Sequence, residues 1–311
     1  MTAARESFPA EYSTSSLETA AGRGANVYTI KGLFDRNAGS TRFFMTDTMT
    51  RAQAFLRPVA LLLTLAASAA CGGNRSGVPA NTANPDRYLY DRGTEALNEG
   101  KWLNAREYFR QVVDNYPQSP VRPDAKLGVG DSFLGEKGAE SLVLAANEYR
   151  EFLTFYPRHE RADYAQYKLA MNHFLQMRAP ERDQTETVSA LKEFQAFFDR
   201  YPDSQLTSEV KVKWREARDR LSRAEFRVGY HYYRVRWCPG AIPRFRGILK
   251  DDPAYSGRDE VYFYLAECLS RADKQAGRAE AIPLLERLLE EFGQSEHAED
   301  ARKRLDELKA Q

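Results

Sequence analysis

The side chains in this 311-residue chain best suited to bind a metal or attack a carbonyl are four histidines and three cysteines. Their spacing speaks against both kinds of chemistry. His159, His173, His231 and His297 fall in separate stretches, and none belongs to a His-Glu-x-x-His pair that would put two imidazoles on one helical face. Cys71, Cys238 and Cys268 match neither a zinc site nor a redox Cys-x-x-Cys. There is no Gly-x-Ser-x-Gly elbow and no phosphate-binding Gly-rich loop. Gly128-Val129-Gly130 comes nearest, but no strand precedes it and both glycines sit in a helical period, so helix packing is the expected role. The chain is therefore expected to be non-enzymatic, with no metal and no cofactor. Cys238 and Cys268 are expected as buried free thiols, behaving as small hydrophobes; a disulfide in an oxidising compartment is the alternative.

Cys71 is read differently because of what precedes it. Pro58 to Ala70 is an uncharged run with Arg51 and Arg57 as its basic flank, the anatomy of a secretory signal starting at Met49, and it is too short to span a bilayer comfortably. Ser68-Ala69-Ala70-Cys71 resembles a bacterial lipobox, with Ser68 where an aliphatic residue is usual. The resemblance implies that Cys71 is the acylated first residue of the mature chain, a covalent lipid anchor; an ordinary cut after Ala70 is the other reading. Residues 1–48 are polar and without sustained period, which fits a misassigned start codon or a disordered leader, with a genuine extension as the rival. Residues 71–85, rich in Gly, Asn, Pro and Ala, read as a flexible linker with a reach of about 20 Å.

What remains, 86–311, must position any binding residues. Over the whole chain Lys and Arg number 45 against 44 Asp and Glu, a near balance that gives no electrostatic case for nucleic acid. Helical runs rich in Phe and Tyr end at Asn115-Tyr116-Pro117, Phe155-Tyr156-Pro157, Arg200-Tyr201-Pro202, Asp251-Asp252-Pro253 and Glu291-Phe292-Gly293, roughly 40 to 51 residues apart, somewhat longer than a tetratricopeptide unit. Before each end stand a small and a large residue four apart: Ala105 and Phe109, Ala145 and Tyr149, Ala190 and Phe194, Ala241 and Phe245, Ala281 and Leu285. That spacing puts both on one helical face. Gly93, Gly130, Ala170 and Gly229 supply the matching small contact in the first helices, and Pro243 and Pro283 are expected in first turns, where a missing N–H costs little. The prediction is an all-α, tetratricopeptide-like array of about five helix pairs with a C-terminal capping helix from about Ser295 to Leu308.

Asp219 to Phe226, continuing through Val228 to Tyr232-Tyr233, resembles the BamD family of outer-membrane assembly lipoproteins. So do Asp163 to Tyr167, Arg182-Asp183 in a long inter-helix insert, and Phe194 to Gln205. Cys238-Pro239-Gly240 and a longer connection around Gly138 are read as departures. The resemblance implies a lipid-anchored subunit of the outer-membrane β-barrel assembly (Bam) complex, facing the periplasm, whose partners are a BamA-like insertase, other Bam lipoproteins and unfolded outer-membrane proteins. A groove for the unfolded substrate is expected near Tyr90, Asp131, Tyr164 and Tyr167, and a partner contact at Arg220, Glu225, Tyr232 and Tyr233. Aromatic residues at helical spacing are also ordinary core residues, so Tyr164, Tyr167, Tyr232 and Tyr233 keep that second reading. Another envelope repeat scaffold, such as a Tol-Pal-associated periplasmic protein, is the alternative function.

Overall fold

The computed structural model describes residues 78–79, 81–272 and 275–310; the apolar segment before Cys71 and Cys71 itself lie outside them. Among the described residues there are eleven α-helices and no strand: α1 (Pro85–Asn98), α2 (Trp102–Asn115), α3 (Arg122–Glu136), α4 (Ala139–Phe155), α5 (Ala162–Leu175), α6 (Thr185–Arg200), α7 (Thr207–Arg234), α8 (Cys238–Asp251), α9 (Arg258–Ala272), α10 (Ala276–Glu291) and α11 (Ala298–Lys309). They form five pairs and a terminal helix. None of them is long and apolar enough to cross a membrane.

The unit ends terminate their helices by one mechanism. Tyr116, Tyr156, Tyr201 and Asp252 each precede a proline, whose ring disfavours helical backbone in the residue before it. All four, and Phe292 before Gly293, leave the helix with φ between −126° and −138°. The carbonyl of each then accepts the N–H three residues on: Ser119, His159, Ser204, Tyr255 and Ser295. A side chain at that third position braces the turn into the next helix, as Ser119 Oγ, His159 Nδ1, Ser204 Oγ and Ser295 Oγ accept the N–H two residues ahead at 3.1–3.2 Å. Three of the serines also donate to an aspartate at the start of their unit's first helix: Ser119 to Asp86 (2.6 Å), Ser204 to Asp163 (2.5 Å) and Ser295 to Asp259. In units one, three and five the last turn is thereby tied to the unit's own beginning. Ser119's hydroxyl is also the main cause holding the Asp86 carboxyl below its ordinary range.

Packing follows the small–large pairs. Ala105, Ala145, Ala190, Ala241 and Ala281 are fully buried, and Phe109, Tyr149, Phe194, Phe245 and Leu285 beside them are at most 1% exposed. A Cβ on Gly93 would stand 2.7 Å from the Phe109 ring, on Gly130 2.8 Å from Tyr149, and on Gly229 2.7 Å from Phe245. These glycines allow the backbone of each first helix to rest on the aromatic face of the second. Gly128 does the same one unit back, 2.5 Å from Phe109 for an added Cβ, so that ring lies between α1 and α3. First helices also contact one another across units, α1 with α3, α3 with α5 and α7 with α9.

Among the described residues the core consists of three clusters, and the 28-residue α7 belongs to two of them. Val210 and Ala217 in its first half pack with Phe194 and Phe197 of α6, while Phe226 in its second half packs with Phe245 of α8 and Leu265 of α9. The long spacing of the fourth unit is therefore absorbed by extra helix, and the third unit's excess by the 176–184 connection.

Three sequence expectations are corrected. The connection around Gly138 is short, only Lys137 and Gly138 between α3 and α4, because Lys137 at φ 58° reverses the chain in one residue; the added length is in the 17-residue α4. Pro243 and Pro283 lie about one and two turns inside α8 and α10. Both are on the exposed side, where water can take the carbonyl that each leaves without its helical donor. Cys238 and Cys268 are buried as expected but are joined in a disulfide, not free: α8 starts against α9 with the two Cα atoms 5.1 Å apart, inside the bridging range. The cross-link ties the fourth unit to the fifth.

Candidate functional site

α7 projects a ladder of charged residues toward the turns on either side of it. Arg220 donates from Nη1 to the carbonyl of Arg178 at 2.9 Å, reaching the α5–α6 connection. One helical turn further on, Arg223 pairs with Glu260 of α9, and Arg227 reaches Glu181 at 3.0 Å. Asp219 accepts the backbone N–H of Ser256 at 3.1 Å and Arg215 at 2.9 Å. These contacts hold open a cleft of about 580 Å³ with α7 as its floor, Ala179 and Pro180 on one wall, and Ser256 and Glu260 on the other. Arg220 lines it. No carboxylate among the described residues pairs with Arg220, so most of its five guanidinium donors are uncommitted. A planar fork of that kind suits a carboxylate brought by a second molecule.

Beside the cleft lies a network that the sequence reading missed. Asp252, 3% exposed, receives a two-pronged contact from Arg215 (Nη1–Oδ1 2.8 Å, Nη2–Oδ2 2.5 Å) and a hydrogen bond from the Ser222 hydroxyl at 2.5 Å. Burial pushes its carboxyl up, but the Arg215 and Ser222 hydrogen bonds outweigh burial and hold it below the usual range. Arg218 donates to the Asp251 carbonyl at 2.5 Å, and Arg215 Nε is buried without a hydrogen-bond partner among the described residues. The only trace of this in the sequence is that the unit-end aromatic of the other four repeats is an aspartate here.

The structure does not gather the four expected partner-contact residues into one patch. Tyr232 and Tyr233 lie about 20 Å along α7 from Arg220, at 1.5 Å per residue. Glu225 is paired with Arg244 at 2.9 Å on the surface. Tyr232 meets Trp237 edge-on at 4.9 Å, and Tyr233 packs against Tyr264 at 4.8 Å while its hydroxyl accepts from Arg271 at 3.1 Å. Neither Asp219 nor Glu225 bridges Arg220 within the helix.

Of the expected groove residues, Asp131 and Tyr164 come together and the others do not. Asp131 of α3 accepts hydroxyls from Tyr149 at 2.7 Å and Tyr164 at 2.9 Å. Enclosure pushes the Asp131 carboxyl up, with Lys168 and the two tyrosines opposing. Burial, then the Asp131 charge, pushes both tyrosine hydroxyls well above their ordinary value. Tyr167 is in the core and donates to Glu209 of α7 at 2.6 Å, a tie between units three and four. Tyr90, half-buried on α1, packs against Phe109 at 5.7 Å beneath Arg87. Among the described residues no group of His, Cys, Asp and Glu is arranged to hold a metal.

The model of a family described as outer membrane lipoprotein, YfiO, matches residues 82–276. The outer membrane protein assembly factor BamD of Caulobacter vibrioides is 28% identical over 211 residues, covering 67% of this chain and 68% of that protein. BamD of Xylella fastidiosa is 25% identical over 179 residues, covering 54% of this chain and 60% of its own length, so there the match spans less than two thirds of the relative. Among solved structures, the tetratricopeptide TPR2AB domain of yeast Sti1 overlaps 68% of this chain and 79% of its own, with 10% identity and a TM-score of 0.41.

Proposed function

The chain belongs to the YfiO family of outer-membrane lipoproteins, whose model covers more than half of it, and from that premise we propose that it is a non-enzymatic subunit of the outer-membrane β-barrel assembly machinery. On this reading it is tethered through a lipid on Cys71 at the periplasmic face of the outer membrane. It holds a BamA-like insertase, sits among other Bam lipoproteins and receives unfolded outer-membrane proteins. The names of the relatives as assembly factors support the reading. The observation that carries it is the cleft at Arg220, an open site between three repeats with an uncommitted guanidinium. The insertase contributes a carboxylate to that fork, and the Asp131–Tyr164 side of the array faces the unfolded substrate.

Arg220→Ala tests the cleft. The side chain makes one hydrogen bond to a carbonyl within the chain, so the melting midpoint should hardly move. Loss of a charge-assisted contact to the insertase should cost about 1.5–3 kcal/mol, more than tenfold in affinity for its periplasmic domains. A variant that binds as tightly as the parent removes Arg220 from the interface, and a large drop in midpoint assigns it a structural role.

A further inference from the structure

The α7–α8 turn carries a surface that neither the cleft nor the repeat packing uses. From Phe226 through Lys250 the chain has no aspartate or glutamate, against six basic residues: Arg227, Arg234, Arg236, Arg244, Arg246 and Lys250. Arg227, Arg244 and Arg246 are neutralised by Glu181, Glu225 and Glu280 of neighbouring segments. Arg234 and Arg236, at the turn itself, have no side-chain partner among the described residues and are exposed. Between and after them stand Val235, 58% exposed, and Trp237, 52% exposed.

Ordinary structural needs do not account for this tip. Arg234 in the last turn of α7 suits the helix dipole, but that says nothing of the next three residues. Arg236 adopts φ 62° at the position closing the helix, where the N–H of Trp237 reaches the Tyr232 carbonyl and its own N–H the Tyr233 carbonyl. Glycine is the usual residue in that closure, and Gly100 fills the same place after α1. A long cation is kept here in a backbone that disfavours it. The tip is also held in place. Trp237 rests edge-on against Tyr232 and covers Gly240, where a Cβ would collide with the indole. The next residue, Cys238, is fixed to α9 by the disulfide. Binding at this tip would therefore order little that is mobile.

An exposed indole and a valine flanked by two free arginines match the composition of a membrane interface, where tryptophan lies at headgroup depth and arginine meets lipid phosphate. An acidic protein surface, which arginine with tryptophan also suits, is the outcome that the vesicle measurement separates from this one. We propose that the Arg234–Trp237 tip is a second, non-covalent membrane contact that seats on anionic phospholipid headgroups and sets the orientation of the tethered chain. It rests on the membrane-side placement above but not on the Arg220 cleft, whose binding is measured without lipid, so either can fail alone.

The test uses the full chain with vesicles of phosphatidylcholine alone or mixed with phosphatidylglycerol, both carrying brominated acyl chains. Trp237 emission is isolated by subtracting the Trp237→Phe variant. Any contribution from the N-terminal segment is common to all variants. The expected result is quenching of Trp237 in the anionic mixture only, lost in high salt. Each basic residue near an anionic surface strengthens binding about fivefold, so Arg234→Gln with Arg236→Gln should weaken this contact about thirtyfold. Arg236→Gly separates contact from folding: it removes one charge and relieves the left-handed backbone, so binding should fall about fivefold with a melting midpoint no lower than the parent's. Quenching that is equal in neutral and anionic vesicles, absent from both, or unchanged by the arginine variants overturns the proposal. That includes the case in which the same arginines bind an acidic protein.

Discussion

Asp252→Ala should lower the free energy of unfolding by about 3–5 kcal/mol, the range for removing one partner of a buried ion pair. The loss comes mainly from what stays behind. Arg215 would keep its guanidinium between α7 and the end of α8, with only Asp219 to answer it, and Ser222 would lose its acceptor. Acid should reduce the difference. The Asp252 carboxyl lies below its ordinary 3.8 in the folded chain, so its stabilisation is complete above that value and is lost as pH falls through the depressed one. Urea titrations of parent and Asp252→Ala at neutral pH and near pH 3 should show a gap that is smaller in acid than at neutral pH. A gap that does not depend on pH would mean packing, not charge, holds this junction. Asp131 works in the opposite sense: its folded carboxyl is raised, so its protonated form is favoured by folding and its contribution falls as pH rises from the ordinary value through the raised one.

Phe109→Ala should cost a similar amount, about 3–5 kcal/mol, as expected for emptying a fully buried aromatic site. The ring is 1% exposed and fills the space that Gly93 and Gly128 leave on two different units. Gly128→Ala, which forces a Cβ against the same ring, should cost about 1–3 kcal/mol by overpacking. The pair gives a sharper test than either alone. If Gly128 is glycine because of Phe109, the double variant should be more stable than the sum of the two losses predicts, since an alanine at 109 makes room for the new methyl. Strict additivity in denaturant titrations would show that the two sites do not share that contact.

Those two sites also show what the sequence could and could not convey. The unit ends and the alanine–aromatic pairs were legible because they are local: a residue before proline leaves the helix, and positions four apart share a face. Gly130 could be assigned to packing for the same reason, whereas the reach of Gly128 back to the preceding unit could not, since nothing in the spacing says which neighbour a glycine serves. The Ser119–Asp86, Ser204–Asp163 and Ser295–Asp259 ties join residues 33 to 41 apart, and only the repeat itself could have suggested them. Asp252 stood within a recognised unit end, but its meaning depends on Arg215, 37 residues earlier. Cys238 and Cys268, separated by 30 residues, gave no spacing signal, and their pairing follows from α8 and α9 meeting where the two side chains fall. At the candidate site, Arg220 was found through family resemblance, and Tyr167 shows the limit of that route. Its hydroxyl is spent on Glu209 inside the array, as an aromatic at helical spacing often is.

The central claim, that this chain is a binding subunit of the barrel-assembly machinery, is tested most directly by purifying the full-length protein from gently solubilised native envelopes and identifying what accompanies it, with Arg220→Ala processed in parallel. The account predicts that a BamA-like insertase and barrel precursors accompany the parent, and that the insertase is selectively depleted from the variant. Recovery of Tol-Pal components in their place, or of no envelope partner at all, would contradict it.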